Sequence, residues 1–252
     1  MKHLNIYALL IALLVVPEIS IGQKGNSSIY SLDFGVSNTW ILNQNIYGNP
    51  EMAYTQKLGF SCVASHRKFT NKYGYSFGLG YRNMGQNYMG EMADIETQRS
   101  IELQYLQMPF MGMVRLGGNN QSTWFSFGPQ VMILLSAEQE FKRIGGKELP
   151  NPDMLDQGNS NIINRFNPID MMLAFELVHQ FTSGSTKKAT SIKDGNVMWS
   201  LSLNTAIGLT DINRKAYQIS NLHEEYASSH NFYVGIHLGF LFNSKTKIFF
   251  HL

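Results

Sequence analysis

Large apolar side chains recur along this chain with a period of two. Between residues 232 and 243, Phe232, Val234, Ile236, Leu238, Phe240 and Phe242 alternate with Tyr233, Gly235, His237, Gly239, Leu241 and Asn243. Successive side chains of a strand point to opposite faces, so this spacing reads as a strand with one greasy face and one small or polar face. Val197, Trp199, Leu201, Leu203, Thr205, Ile207 and Leu209 repeat the pattern against Met198, Ser200, Ser202, Asn204, Ala206, Gly208 and Thr210. So do Tyr30, Leu32, Phe34 and Val36; Leu58, Phe60, Cys62 and Ala64; Tyr75, Phe77, Leu79 and Tyr81; Phe125, Phe127, Val131, Ile133 and Leu135; and Ile169, Met171, Leu173, Phe175 and Leu177. With Ile101, Leu103 and Tyr105 as the apolar face of one more, the pattern predicts eight strands.

The second face decides where such strands live. A soluble antiparallel sheet normally shows Lys, Glu and Thr to water, whereas these strands carry Gly, Ser, Ala and Asn opposite the apolar residues. Small residues suit the lumen of a narrow barrel, and an apolar band suits lipid, with runs of about 10 residues long enough to cross it at a tilt. Composition agrees, since charged residues make up 15% of 252 residues and aromatics 12%, against roughly 25% charged in soluble domains. The expected fold is all-β: an eight-stranded, antiparallel, up-and-down transmembrane β-barrel over residues 23–252, preceded by a cleavable signal peptide at 1–22.

That leader reads from Lys2 and His3 through the run Leu4 to Val16, then Pro17-Glu18 and Ser20-Ile21-Gly22, a small-x-small cleavage pattern. The run falls short of the roughly 20 residues a membrane helix needs, and no later window offers one. An exported chain without helical spans, but with an apolar strand face, is expected to be integral to the outer membrane. Net charge is +2 with no basic run longer than Lys187-Lys188, which argues against nucleic acid as a partner; the expected partners are outer-membrane lipid and envelope or secretion-system proteins.

Connections alternate in length. Links at 68–73 and 117–121 are short and that at 183–195 is middling, while the joints near 38–55, 88–98, 143–164 and 213–230 are mostly longer; the latter would be extracellular if both barrel termini face the periplasm. Gly117-Gly118-Asn119-Asn120 and Asp194-Gly195 carry residues that tolerate positive φ. Pro109 lies inside a run apolar on both faces and predicts a bulge or a break in pairing. The tail 244–252 reads either as a short periplasmic extension or as a continuation of the sheet through KIFFHL. Eight strands enclose little more than their own side chains, so the lumen should be filled and closed to general solutes. The inward charged residues are Asp33, Arg82, Glu102, Asp170, Glu176 and His237, which must pair or hydrogen-bond. Reflecting the chain about Met92 sets Tyr81 against Leu103 and Arg82 against Glu102, predicting a lumenal ion pair.

The run YLQMP at 105–109, FGP at 127–129 followed by Leu134-Leu135-Ser136, GLTDI at 208–212 and the closing LGFLF at 238–242 resemble, in order and spacing, the strands of the PorT-like outer-membrane β-barrel family of Gram-negative bacteria. The likeness spans essentially the whole mature chain, with Gln107 where that family usually carries glutamate. It implies an integral barrel without catalytic residues, and some relatives serve type IX protein secretion.

No motif carries catalysis, a cofactor or a metal. His223-Glu224-Glu225 opens like a zincin helix, but the next histidine is His230 where position 227 is required. Gly78-Leu79-Gly80 and Gly145-Gly146-Lys147 lack phosphate-loop spacing. His179 on the outward face, with Ser183 after it, is the one arrangement that resembles a lipid-acting nucleophile pair, yet it lacks an orienting carboxylate. Cys62, the single cysteine, falls on an apolar face between Phe60 and Ala64. A water-soluble maleimide should leave it unlabelled in intact membranes and label it after denaturation; prompt labelling would place it outside lipid.

Overall fold

A computed structural model describes residues 27–43, 53–70, 72–92, 95–117, 122–144, 158–181, 198–218 and 226–243. The leader, Ser183, the 223–225 triplet and the tail 244–252 lie outside them. Among the described residues ten strands form: β1 Ser27–Leu42, β2 Ala53–Thr55, β3 Lys57–Phe69, β4 Tyr73–Met92, β5 Ile95–Leu116, β6 Thr123–Ile144, β7 Gly158–Asn161, β8 Ile169–Phe181, β9 Met198–Gly208 and β10 His230–Asn243. Eight close into a ring in the order β1, β3, β4, β5, β6, β8, β9, β10, all antiparallel. The seam is sealed by β10 on β1, from Ile29↔Asn243 to Leu42↔His230. The remaining two are short additions: β2 pairs with upper β4, and β7 with upper β6.

The wall is uneven. β4, β5 and β6 run 20, 22 and 22 residues whereas β8 and β9 run 13 and 11, and a tilted strand needs only about 9–11 to cross lipid. The upper parts of β4 to β6, flanked by β2 and β7, therefore rise past the bilayer as a five-stranded sheet. Below that height the outward residues are apolar, among them Phe34, Val36, Leu58, Phe60, Leu79, Phe127, Leu177, Leu201, Leu203, Ile236 and Leu238. No soluble surface shows so continuous an apolar band; a closed barrel in lipid requires one. Aromatic side chains gather near its edges, with Trp40 against Phe232 above and Phe181 stacked on Trp199 at 3.8 Å below.

Polarity inverts in the projecting part. Ile101, Leu103 and Tyr105 turn inward and are fully buried, joining Ile41, Met84, Tyr88, Met132, Leu134, Ala137, Ile162, Phe166 and Ile212 in one cluster. Between them Ser100, Glu102 and Gln104 face out. This corrects two expectations. Ile101, Leu103 and Tyr105 do not face lipid, because at their height the exterior is water and apolar side chains withdraw as in a soluble sheet. Glu102, expected inside, is outside for the same reason. The β4–β5 ladder also runs differently: Arg82 pairs with Tyr105 and Gly85 with Glu102, and pairing continues to Met92↔Ile95. The connection is thus only residues 93–94, not a turn about Met92, so the Arg82–Glu102 ion pair does not form.

The prolines interrupt the ladder without shifting it. Pairing on either side of Pro109 keeps one register, Phe77↔Phe110 and Gly80↔Gln107 toward β4, Pro109↔Gln130 and Gly112↔Phe127 toward β6. The Gly78–Pro109 and Phe110–Pro129 partnerships are skipped, as each needs an N–H that proline lacks. The bulge lies elsewhere, between Gln104 and Tyr105 opposite Leu134 to Ser136. It flips the inward set on β6 from the even residues up to Leu134 to the odd residues from Ala137. Gly117 takes φ 89° at the start of the β5–β6 link, where a side chain would be strained. Close strand approach makes a second demand on glycine: a methyl at Gly128 would run into the Phe110 carbonyl oxygen, whereas at Gly112 the nearest atom is 3.7 Å away. Gly128→Ala should lower unfolding stability in urea by roughly 1–3 kcal/mol, as overpacking does, and Gly112→Ala should leave it nearly unchanged.

Candidate functional site

The barrel interior is built in three layers. At the lower end Ile29, Phe69, Met113, Trp124, Val178, Met198 and Leu241 form an apolar floor, with the Arg115 guanidinium 4.7 Å from the Trp124 ring centre. At the upper end the cluster around Ile101, Leu103 and Tyr105 forms an apolar roof. Between them lies a polar layer around a cavity of about 40 Å³, lined by Asp33, Arg67, Arg82, Gln107, Gln130, Glu176, Asn204 and His237 among others. That volume admits a few waters and nothing larger.

Two arginines organise the layer. Arg67 Nη2 donates to Asp33 Oδ2 at 2.8 Å, both side chains almost fully buried. Ser31 Oγ donates to the same oxygen at 2.8 Å and lies 2.6 Å from Ser65 Oγ. Arg82 has no carboxylate within ion-pair distance among the described residues. Its Nε donates to Gln107 Oε1 at 3.0 Å and its Nη1 to Ser37 Oγ at 3.3 Å. Nη2 lies 3.4 Å from His237 Nε2, and a guanidinium can only donate, so that nitrogen is the acceptor. The Arg82 carbon stands 3.7 Å over the Tyr233 ring centre, and the Tyr233 hydroxyl donates to Gln130 Oε1 at 3.2 Å. Gln130 Nε2 returns to Gln107 Oε1 at 3.0 Å. A cation over a desolvated aromatic face is stabilised by about 2 kcal/mol or more, and neutral acceptors take the place of a counter-charge within ion-pair distance.

The six residues singled out from the sequence thus divide. Asp33, Arg82, Glu176 and His237 meet in the polar layer, Glu176 accepting from Ser202 Oγ at 2.7 Å. Asp170 faces inward but higher, accepting from Thr210 Oγ1 at 2.7 Å and Asn231 Nδ2 at 2.8 Å. Glu102 is on the outer face, where it accepts from Asn83 Nδ2 at 2.6 Å and stands 3.9 Å from Lys57 Nζ. Sequence reasoning missed Arg67, although its odd number opposes the even outward set Leu58, Phe60, Cys62 and Ala64 and so gives its facing. It also missed Gln107 and Gln130, whose strands mix apolar residues on both faces.

Other candidates resolve individually. His179 is outward near the lower rim, its Nδ1 2.9 Å from Thr123 Oγ1 and its ring edge-on to Phe181 at 4.6 Å; no described carboxylate orients it. Cys62 lies on the outer face, partly covered. Among the described residues no three His, Cys, Asp or Glu side chains converge as a metal site. Above the roof, Asp211 ties the upper loops together: its carboxylate accepts from the Tyr226 hydroxyl at 2.7 Å, Gln218 Nε2 at 2.9 Å and the Asn213 N–H at 2.9 Å. Burial pushes the Tyr226 phenol up in pKa, so it remains a donor.

No protein-family model matches the chain, and no curated relative does. Among solved structures, Neisserial surface protein A aligns with 86% of this chain and 98% of its own at 10% identity, with a TM-score of 0.39. The outer membrane protein OprG from Pseudomonas aeruginosa aligns with 88% of this chain and 99% of its own at 13% identity, with a TM-score of 0.35.

The buried Asp33–Arg67 pair yields a double-mutant test. Arg67→Met alone strands a carboxylate and should cost roughly 3–5 kcal/mol, while adding Asp33→Leu should recover most of that loss, read as the midpoint of urea unfolding in detergent micelles. A double variant as unstable as the single would mean that the pair is not the unit that matters.

Proposed function

We propose that this protein is an integral outer-membrane barrel with a filled lumen, non-enzymatic, that acts as a structural or interaction protein of the envelope through the parts standing outside the bilayer. The observation that carries this reading is the closed ring of eight strands with an apolar exterior and an interior blocked by floor, polar layer and roof. A conducting pore needs a continuous aqueous path, and a cavity of about 40 Å³ between two apolar layers is not one. Catalysis needs a positioned nucleophile and base; His179 with Thr123 has no orienting acid among the described residues. What remains for a partner is the raised sheet of upper β4, β5 and β6 with β2 and β7, and the upper loops braced by Asp211.

A narrower reading, service in type IX protein secretion, draws on the YLQMP run at 105–109 and its resemblance to PorT-like barrels. Tyr105 and Gln107 of that run are buried, so they would support the barrel rather than touch cargo. Deleting the gene should then trap type IX cargo in the periplasm; unaltered secretion would remove this reading and leave the broader one standing.

Two measurements test the broader reading. The protein should fractionate with the outer membrane and migrate differently on SDS gels before and after boiling, and purified protein in planar bilayers should give no large, stable conductance steps. Such steps, or a soluble periplasmic protein without a heat shift, would overturn it.

A further inference from the structure

On the β8–β9 side the barrel wall is low, and the rim above it is basic. Residues 163–165 form a 3-10 turn just before β8, and 215–217 form another after β9. The two approaches are locked together: the Arg214 N–H donates to the Arg165 carbonyl at 2.9 Å, the Asn167 N–H to the Ile212 carbonyl at 2.7 Å, and Phe166 bridges Asn213. Asn167 Nδ2 adds bonds to the carbonyls of Asp211 and Asn213 at 2.9 and 3.0 Å. Arg214 Nε donates to the Phe166 carbonyl at 2.8 Å, laying its guanidinium over the residue next to Arg165. Lys215 follows on the exposed side of the turn.

Arg165 and Arg214 therefore stand opposite each other beside the Phe166–Asn213 bridge, with Lys215 next in the chain, and like charges directly opposite repel unless an anion joins them. Among the described residues none of the three makes an ion pair. Asp211, the acid nearest in sequence to Arg214, is turned into the loop, where it accepts from Tyr226, Gln218 and the backbone N–H groups of Asn213 and Ser229. Phe166, Ile212 and Asn213 are buried beside the cations while Arg165 and Arg214 stay partly exposed. The patch borders the apolar band: Ile169 is 56% exposed and Leu209 57%, and the four residues from Arg165 to Ile169 reach at most about 14 Å. Tyr217, exposed at the end of the second turn, is an aromatic of the kind that settles at the headgroup level.

We propose that Arg165, Arg214 and Lys215 form a seat for the phosphate of an outer-leaflet lipid whose acyl chains lie along Ile169, Met171, Ile207 and Leu209. Arginine forks match phosphate oxygens two at a time, and Lys215 adds a point charge. Phosphate here neutralises the repulsion and meets donors whose backbone is already fixed. The inference rests on the reading of the chain as a membrane barrel, and it assigns the low side of the wall to lipid, leaving the raised side for other contacts.

The test incubates purified barrel in detergent with bis-phosphorylated lipid A or its dephosphorylated form and counts retained lipid by native mass spectrometry. Three proteins are compared: the unaltered chain, Arg165→Gln with Arg214→Gln, and a charge-matched control, Lys68→Gln with Lys142→Gln. The unaltered chain and the control should retain the phosphorylated lipid about tenfold better than the double arginine variant, and dephosphorylation should abolish the advantage. Equal retention by both variants, or indifference to the phosphates, would overturn the seat. The heat shift on SDS gels is read on the same samples: a normal shift with no lipid preference sinks the seat alone, whereas no shift in any sample sinks the barrel reading beneath it.

Discussion

Backbone hydrogen bonding in lipid is the constraint on which the rest of this structure depends. Every N–H and C=O that crosses the hydrocarbon must find a partner within the protein, at several kcal/mol for each failure, so a sheet can enter a membrane only if it has no edge. The β1–β10 seam removes the edge, and the barrel's other properties follow from closure. Eight strands fix a narrow bore. A narrow bore crowds whatever fills it, and Gly78, Gly80, Gly128, Gly235 and Gly239 stand on inward positions where an added methyl would meet a neighbouring strand or side chain within about 3 Å. The defects at Pro109 and Pro129 are tolerable because they fall on successive residues of β5 and face different neighbours, so no stretch of the strand is released on both sides at once.

The same chain solves two solvation problems along one axis. In the bilayer the apolar side chains point out and a polar layer fills the middle of the bore. Above it the strands of the raised sheet show Glu102, Gln104, Glu138 and Lys142 to water and bury Ile101, Leu103 and Tyr105. The switch needs no change of strand direction. On β5 the odd residues point inward from Arg99 to Met113, so their chemistry alone changes, from Ile101, Leu103 and Tyr105 above to Gln107 beside the cavity. On β6 the bulge opposite Gln104 and Tyr105 does what β5 does by composition, exchanging which residues face in.

Those two strands mark the limit of what alternation discloses. Ring, strand number, direction and facing were legible for β1, β3, β8, β9, β10 and lower β4 because each lies mostly within lipid, where large apolar means outward. On β5 the rule reverses with height, and height is a property of the assembled barrel that no local window contains. The error at Ile101, Leu103 and Tyr105 carried Glu102 with it, and parity then produced an ion pair with Arg82 that the three-residue difference in register abolishes. The polar layer was legible in part for a related reason. Asp33, Glu176 and His237 lie within clean alternation, between large apolar residues, and so announce their facing, while Gln107 and Gln130 lie in stretches apolar on both faces, beside the prolines, where alternation is silent.

A buried layer of charge is not the most stable way to fill a barrel, since apolar side chains of equal volume often do as well or better than ion pairs. What the layer does supply is direction. Arg82 draws acceptors from β1, β5 and β10, through Ser37, Gln107 and His237, and Arg67 on β3 binds Asp33 on β1. Arg82 stands on β4, so its contacts to Ser37 on β1 and His237 on β10 reach strands that are not neighbours of its own in the ring. Ladder bonds are equally good in several registers, and apolar belts tolerate a slip of two residues with every facing preserved. A guanidinium with fixed donors does not. A two-residue slip at the β1–β10 seam would carry Ser37 away from His237 and break the set around Arg82. In the observed register Ser37 and His237 both reach Arg82, and the apolar floor and roof bound the layer on either side.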